Sequence, residues 1–257
     1  MGSLKNKVAI VTGASTPKGI GNAIAQCFAQ AGASVFLVAE GTVEQLKAAQ
    51  KKCRSYVDAG RIEYGVFDLA KSGAAEQMVA KAKKVFGRVD VLVNNAGIRA
   101  PYNFGEYTRA QFNRTVAVNL AAPFFAGQAV VPIMRRQGGG RIINIASQLG
   151  RVTFAQRALY GLTKAALIHL TKSMAYELGS KGIIVNSISP GPVKTQPILD
   201  RMKDNPAEVA RRIKNYQPSG RFGEPWEISD LALYLATTEA TFLQGEDICI
   251  DGGYTIH

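Results

Sequence analysis

Seven short apolar runs, most of them rich in β-branched residues, alternate with helix-spaced segments along this chain. The runs are residues 7–12 (KVAIVT), 34–39 (SVFLVA), 62–67 (IEYGVF), 89–94 (VDVLVN), 141–146 (RIINIA), 182–187 (GIIVNS) and 247–251 (DICID). After the first run, Ile20, Ala23, Ile24, Cys27, Phe28 and Ala31 fall on one helical stripe. Residues 42–58 read as a polar helix, and a long helix follows Phe154. Strands that are apolar on both sides must be covered on both faces. The alternation therefore predicts an α/β fold, a doubly wound parallel sheet of about seven strands with helices on both faces. With 257 residues and no linker or repeat, the chain is expected to form a single domain spanning 1–257. Only residues 190–224, richest in Pro and Gly, break the rhythm; they are expected to form an insertion over the carboxyl edge of the sheet, where ligands sit in such folds.

Charged residues make up 19% and apolar ones 47%, as in an ordinary globule. No run of about 18 apolar residues occurs, so no membrane span is expected. The opening MGSLKNKVAIV has no leader-type apolar stretch. Cys27, Cys53 and Cys249 are scattered without metal-ligand spacing. They fit a reducing compartment, and the expectation is a cytoplasmic protein without a metal. The net charge of +12 raises the question of nucleic acid. Much of the surplus lies in helix-like stretches such as Lys81, Lys83, Lys84 and Arg211, Arg212, Lys214, which read as solvated faces. No nucleic-acid partner is expected, although a positive field also draws small anionic ligands.

Residues 12–21, TGASTPKGIG, join the first strand to the first helix. Gly13 permits the turn after the strand. Gly19 and Gly21 let a pyrophosphate approach the helix N-terminus, whose free N–H groups and dipole favour anions. In this position the pattern reads as a Rossmann-type dinucleotide loop, with Ser15, Lys18 and Ile20 among its expected contacts. Glu40, about 20 residues past the last glycine, is placed to hold a ribose diol and to repel a 2′-phosphate. That favours NAD. Lys18 argues for NADP, because a cation in the loop could meet the phosphate.

Three further pieces carry chemistry. Asn94, Asn95, Ala96 and Gly97 end the fourth strand, and Ser147 ends the fifth. Tyr160 and Lys164 stand four apart and share a helix face. A free tyrosine titrates near pH 10 and is a poor base at neutrality. A lysine ammonium and an oxidised nicotinamide ring would both stabilise the phenolate. Lowering the tyrosine by about 3 units takes roughly 4 kcal/mol. Ser147 can donate to a substrate oxygen that gains charge during hydride transfer. His169 and His257 are the only histidines, and Ser147 lies in no G-x-S-x-G elbow, so a serine-hydrolase triad is excluded. His169 reads as a packing or interface residue, and Trp226 as packing the start of a C-terminal helix.

In this order, the loop, the NNAG, the serine and the Tyr-x3-Lys resemble the compact short-chain dehydrogenase/reductases, over nearly the whole chain from Lys7 to GEDICIDGGY. The resemblance implies an NAD(P)-dependent oxidoreductase interconverting a secondary alcohol and a ketone. It implies that Tyr160 is the acid/base, that Lys164 lowers its pKa and holds the nicotinamide ribose, and that Ser147 orients the substrate. Asn119, in AVNLAAP, would hold a helix kink and a relay water. Asp68 and Leu69 would meet the adenine, Asn95, Ala96 and Gly97 would line the cofactor, and Pro190, Gly191, Val193 and Thr195 would orient the carboxamide. A homotetramer built on the catalytic helix and the last strand is implied as well.

Two departures stand out. The loop is two residues longer than the family's usual TGxxxGxG, and Pro17 removes an N–H; the additions are expected to bulge at the tip. A longer loop is similar to the enoyl-carrier-protein reductase branch, but the Tyr160–Lys164 interval argues against that branch. The family's NAD-selecting acid usually sits where Ala39 stands, and NADP users often have arginine where Glu40 stands.

For the substrate, Arg99 and Tyr102 follow the NNAG, Gln148 and Arg151 follow Ser147, and Arg157 precedes Tyr160. If one or two of these arginines face the pocket, the substrate carries a carboxylate, sulfonate or phosphate; otherwise they are surface or interface arginines. SQLGR is similar to the S-x-L-G-R of family members acting on sugar acids. The expected substrate is a sugar, polyol or sugar acid, bound by Arg99, Ser147, Gln148, Arg151 and Tyr160. Two alternatives stay open: a 3-oxoacyl-thioester (carrier-protein) reductase, and a non-catalytic dinucleotide sensor. Intact Asn119, Ser147, Tyr160 and Lys164 argue against the sensor.

Overall fold

A computed structural model describes residues 2–57 and 61–256. Seven parallel strands form one sheet in the order β3-β2-β1-β4-β5-β6-β7. They are β1 Val8–Thr12, β2 Ser34–Ala39, β3 Ile62–Val66, β4 Val91–Asn94, β5 Gly140–Ile145, β6 Ile183–Pro190 and β7 Asp247–Ile250. The expected fold is present, with strand ends shifted by a residue or two except in β6, which runs on to Pro190. The helices are α1 Ile20–Gln30, α2 Val43–Arg54, α3 Ala74–Phe86, α4 Arg109–Val116, α5 Ala122–Arg136, α6 Ala158–Leu178, α7 Gln196–Asp204, α8 Pro206–Tyr216 and α9 Pro225–Thr237. The polar helix expected over residues 42–58 ends at Arg54, and Asp58 lies outside the described residues.

Both faces of the sheet are covered, which is why its strands read as unbroken apolar runs. One core gathers Ile24 and Phe28 of α1, Leu46 of α2 and Ile228 and Leu233 of α9 against the sheet. The other packs Met78 of α3, Val130 and Met134 of α5 and Leu178 of α6 against Ile142 and Val185. Phe28 and Phe36 are wholly buried; each such side chain contributes about 1.5–3 kcal/mol.

The strand order reverses between β1 and β4, and a crevice opens there at the carboxyl ends. α4, a π-helical turn at Ala117–Ala121 and α5 run on as one helix, Arg109–Arg136. Taken whole, this helix is long and apolar enough to span a membrane, which a search for unbroken apolar runs does not reveal. Val130, Ile133 and Met134 bury it in the core of the protein. Residues 190–224 fold into α7 and α8 around Ile198, Val209 and Phe222.

Candidate active site

The glycine loop answers the question of its extra length. Gly13 adopts φ +67 and Lys18 φ +56, and the Gly19 N–H donates to Thr16 O at 3.0 Å. Thr16, Pro17 and Lys18 are exposed while Ser15 and Gly19 are buried, so the added residues bulge at the tip. Asn22 Nδ2 donates to Ala14 O at 3.0 Å, which anchors the loop to α1. α1 begins at Ile20 with no side-chain cap and no acid in its first turn. Its free N–H groups and positive end suit an anion, and these features fit a dinucleotide pyrophosphate.

Gly21 has a second job. A Cβ on it would lie 2.5 Å from Gly13 O and closer still to Asn95 Nδ2. This glycine lets α1 press against the ends of β1 and β4. Asn95 joins those ends: its Nδ2 donates to Thr12 O at 2.8 Å, and the Asn95 and Ala96 N–H groups both donate to Thr12 Oγ1 at 2.9 Å.

Past the carboxyl ends of β2 and β3, Glu40 and Asp68 face an arginine that nothing in the sequence flags. Arg114 of α4 grips both Glu40 oxygens, at 2.7 and 2.8 Å, and lies 3.6 Å from Asp68. The partners are 74 residues apart. Asp68 also accepts the Ala70 N–H at 3.0 Å, and Leu69 packs on the second core. Lys18 stands on the exposed tip.

The reacting end lies where β5, β6 and α6 meet. Asn119 sits in the π-helical turn, fully buried; its Oδ1 accepts the Ile98 N–H at 2.8 Å and its Nδ2 donates to Ile98 O and Thr163 Oγ1, both at 3.0 Å. π-helical turns cluster at functional sites. Ser147 caps a short 3-10 turn, Gln148–Gly150, by accepting the Leu149 N–H at 3.1 Å. Lys164 is buried, donates to Ile145 O at 2.7 Å, and its Nζ lies 5.7 Å from the Tyr160 ring centroid. A Cβ on Gly97 would be 3.4 Å from that Nζ, so the strand end approaches the lysine closely. Gly191 donates to Ile250 O at 3.0 Å, and Val193 and Thr195 lead into α7.

Burial pushes the Tyr160 phenol above its ordinary value, and Arg99, the Ser147 hydroxyl and Arg157 pull it back only in part. The Lys164 ammonium donates to the Ile145 carbonyl, and burial, helped by Arg99, depresses it to about 8. The unfolded chain keeps the lysine proton to about 10.5. Between those values the unfolded state binds more protons, so this group makes folding stronger as pH rises. The Tm gap between wild type and Lys164→Met is accordingly expected to move in favour of wild type from pH 8 to 10.5; a gap constant over that range would contradict the burial of a charged lysine.

Ser147, Gln148, Tyr160, Lys164, Asn95, Gly97, Pro190, Gly191, Val193 and Thr195 all line one cavity of about 210 Å³. Arg99 and Arg157 line it too, and so do Arg201 of α7 and Arg212 of α8, which the sequence does not single out. Arg151 does not. Its Nε donates to Asp247 Oδ2 at 2.6 Å, tying the turn after β5 to β7, so it is a structural residue. His169 is exposed on α6, and His257 lies outside the described residues. Trp226 is 60% exposed rather than packed under α9.

A switch-point crevice with an uncapped helix N-terminus, beside a Ser-Tyr-Lys group whose serine and lysine are buried, fits a dinucleotide-dependent oxidoreductase. The protein-family profile described as enoyl-(acyl carrier protein) reductase matches residues 13–255. An oxidoreductase of Thermotoga maritima is 38% identical over 98% of this chain and 99% of its own. D-threitol dehydrogenase of Mycolicibacterium smegmatis is 38% identical over 98% and 94%. A crystal structure of 3-oxoacyl (acyl-carrier-protein) reductase from Agrobacterium tumefaciens C58 with NADP bound superposes with a TM-score of 0.92, at 30% identity over 98% and 95% of the two chains. The chain belongs to the short-chain dehydrogenase/reductase family and is an NAD(P)-dependent oxidoreductase acting on hydroxyl and carbonyl groups.

Proposed function

We propose that this enzyme interconverts a secondary alcohol and a ketone of the sugar, polyol or sugar-acid class, with NAD preferred. The observation that carries the reading is the convergence of Ser147, Tyr160 and Lys164 on one cavity at the carboxyl edge of the sheet. When bound, the nicotinamide cofactor supplies or accepts the hydride. Tyr160 gives its phenolic proton to the carbonyl oxygen in reduction and takes it back in oxidation. Ser147 donates a hydrogen bond to the same oxygen as it gains charge. Lys164 supplies positive charge below the ring, and Asn119 pins the loop after β4 through Ile98. Gly13, Gly19 and the first turn of α1 hold the pyrophosphate, and Asp68, Leu69 and Glu40 hold the adenosine end.

The polyol assignment draws support from the D-threitol dehydrogenase relative. The runner-up, a 3-oxoacyl-thioester reductase, draws support from the structural neighbour and from the cations lining the cavity. Absorbance at 340 nm with polyols, their acids and oxoacyl thioesters, in both cofactors, separates the two. Turnover of thioesters alone, with NADPH, would sink the first reading.

Cofactor choice rests on Glu40. Its carboxylate repels a 2′-phosphate, and it also occupies Arg114, a cation that could bind one. Glu40→Gln is expected to release Arg114 and raise kcat/KM for NADP⁺ relative to NAD⁺ at least tenfold, about 1.4 kcal/mol. An unchanged ratio would remove Glu40 and Arg114 from the selection.

We expect a cytoplasmic homotetramer. Exposed Phe124 and Phe125 on α5 and Leu162 and Tyr176 on α6 are apolar surface that subunit contacts would cover. Light scattering on the purified protein tests the assembly.

A further inference from the structure

We propose that the cavity recognises a substrate carrying two negative charges: a small hydroxy or oxo compound bearing a phosphate monoester or two carboxylates. This rests on the oxidoreductase reading and narrows its substrate.

Four guanidiniums reach the cavity from four separate elements. Arg99 follows β4, Arg157 caps α6, Arg201 lies on α7 and Arg212 on α8. Among the described residues, no aspartate or glutamate lines the cavity. Elsewhere the protein pairs its arginines closely: Arg88 with Asp90 at 2.6 Å, Arg151 with Asp247 at 2.6 Å, Arg221 with Glu227 at 2.8 Å. Among the described residues, Arg99, Arg157 and Arg201 make no such pair, and Arg212 reaches Glu208 only at 3.9 Å. Arg212 instead stacks at 5.0 Å over Phe154, which fixes its plane. Arg157 donates at 2.8 Å to the carbonyl of Gln156, a residue held at φ +60. Like charges gathered this way oppose folding. Arg157 registers that repulsion: burial and the charges of Arg99, Arg201 and Arg212 all weaken its hold on its proton. A ligand must offset the cluster, and one negative charge would leave most of it uncompensated.

Two amides support a polar occupant. Gln148 Oε1 and Gln217 Nε2 are buried without a hydrogen-bond partner, and both residues line this cavity. Leaving such a group unmade costs about 1–3 kcal/mol, so an acceptor and a donor stand ready for substrate hydroxyls. The cavity of about 210 Å³ is below the roughly 300–1,000 Å³ of drug-sized sites, which keeps the substrate small.

The test uses the full chain and two readouts. Calorimetric titration with malonate, inorganic phosphate and acetate is run at constant ionic strength with saturating NAD⁺, so that the phosphate loop is filled. Malonate or phosphate is expected to bind at least tenfold tighter than acetate. Arg157→Gln and Arg201→Gln are each expected to weaken that binding at least tenfold with Tm held or raised as repulsion is relieved, whereas Arg135→Gln, on the exposed end of α5, is expected to leave it alone. Tighter phosphate identifies the phosphate ester, tighter malonate the dicarboxylate. In parallel, kcat/KM is compared for glycerol, glycerate, glycerol 1-phosphate and malate. Dianions that bind no better than acetate, or that ignore both arginine changes, overturn the proposal. Turnover of glycerol with no preference for dianions would remove the charged pocket and leave the oxidoreductase. Dianion binding in a protein that oxidises no alcohol would do the reverse.

Discussion

Replacing Tyr160 with phenylalanine is expected to lower kcat about a thousandfold, within the 10²–10⁴ that a positioned acid/base contributes. Cofactor affinity and Tm should change little, because the ring and its contact with Lys164 remain. The same residue sets the pH dependence. Its phenol is pushed above the ordinary value, so at neutral pH the proton is already in place for ketone reduction. Reduction should therefore be flat from pH 6 to 8, while alcohol oxidation should climb with pH as the phenolate fraction grows. Rates at 340 nm in both directions check this. A Phe variant that keeps more than a tenth of its rate would show that another group moves the proton.

Gly21→Ala is expected to be among the most damaging single-methyl changes in the protein. The new Cβ would lie 2.5 Å from the backbone oxygen of Gly13 and nearer to Asn95 Nδ2, a side-chain end held by its bonds to Thr12 O and Gly13 O. Something must move, and what moves is the junction Asn95 makes between the β1 and β4 ends. A loss of about 2–3 kcal/mol, at the upper end for overpacking, should accompany a tenfold or larger rise in Kd for NADH. Urea denaturation and NADH fluorescence measure the two. Gly105→Ala, where a Cβ meets nothing within 4 Å, is the control. Wild-type stability and affinity in the Gly21 variant would mean that α1 can retreat from the sheet at no cost.

The strands and the reacting group are legible in the sequence because their signals are local. Apolar runs announce buried strands, and Tyr160 and Lys164 share a face by spacing alone. Charge partners are not local. Arg114 meets Glu40 across 74 positions, and Arg151 meets Asp247 across 96. Which arginine is consumed by a carboxylate and which is left free depends on where crossovers deliver the two chains. Arg151 and Arg157 look alike in sequence, yet one ties the sheet and the other faces the cavity. Arg201 and Arg212 sit in an amphipathic segment whose tilt over the site has no periodic signature. The carbonyl that holds the Lys164 ammonium is equally out of sequence reach, since Ile145 belongs to β5 and not to the helix.

The π-helical turn at Ala117–Ala121 carries one extra residue inside an otherwise regular helix. The wider turn absorbs most of the rotation an extra residue would impose on a regular helix, so α4 and α5 keep nearly the phase they would have without it. What the extra residue adds is a local bulge, and Asn119 stands in it, bonded to Ile98 and Thr163. Removing one residue there is expected to close the bulge and take Asn119 off the loop after β4, while Val130 and Met134 stay packed. A gap and a substitution are therefore not equivalent in this stretch, because only the gap erases the bulge itself.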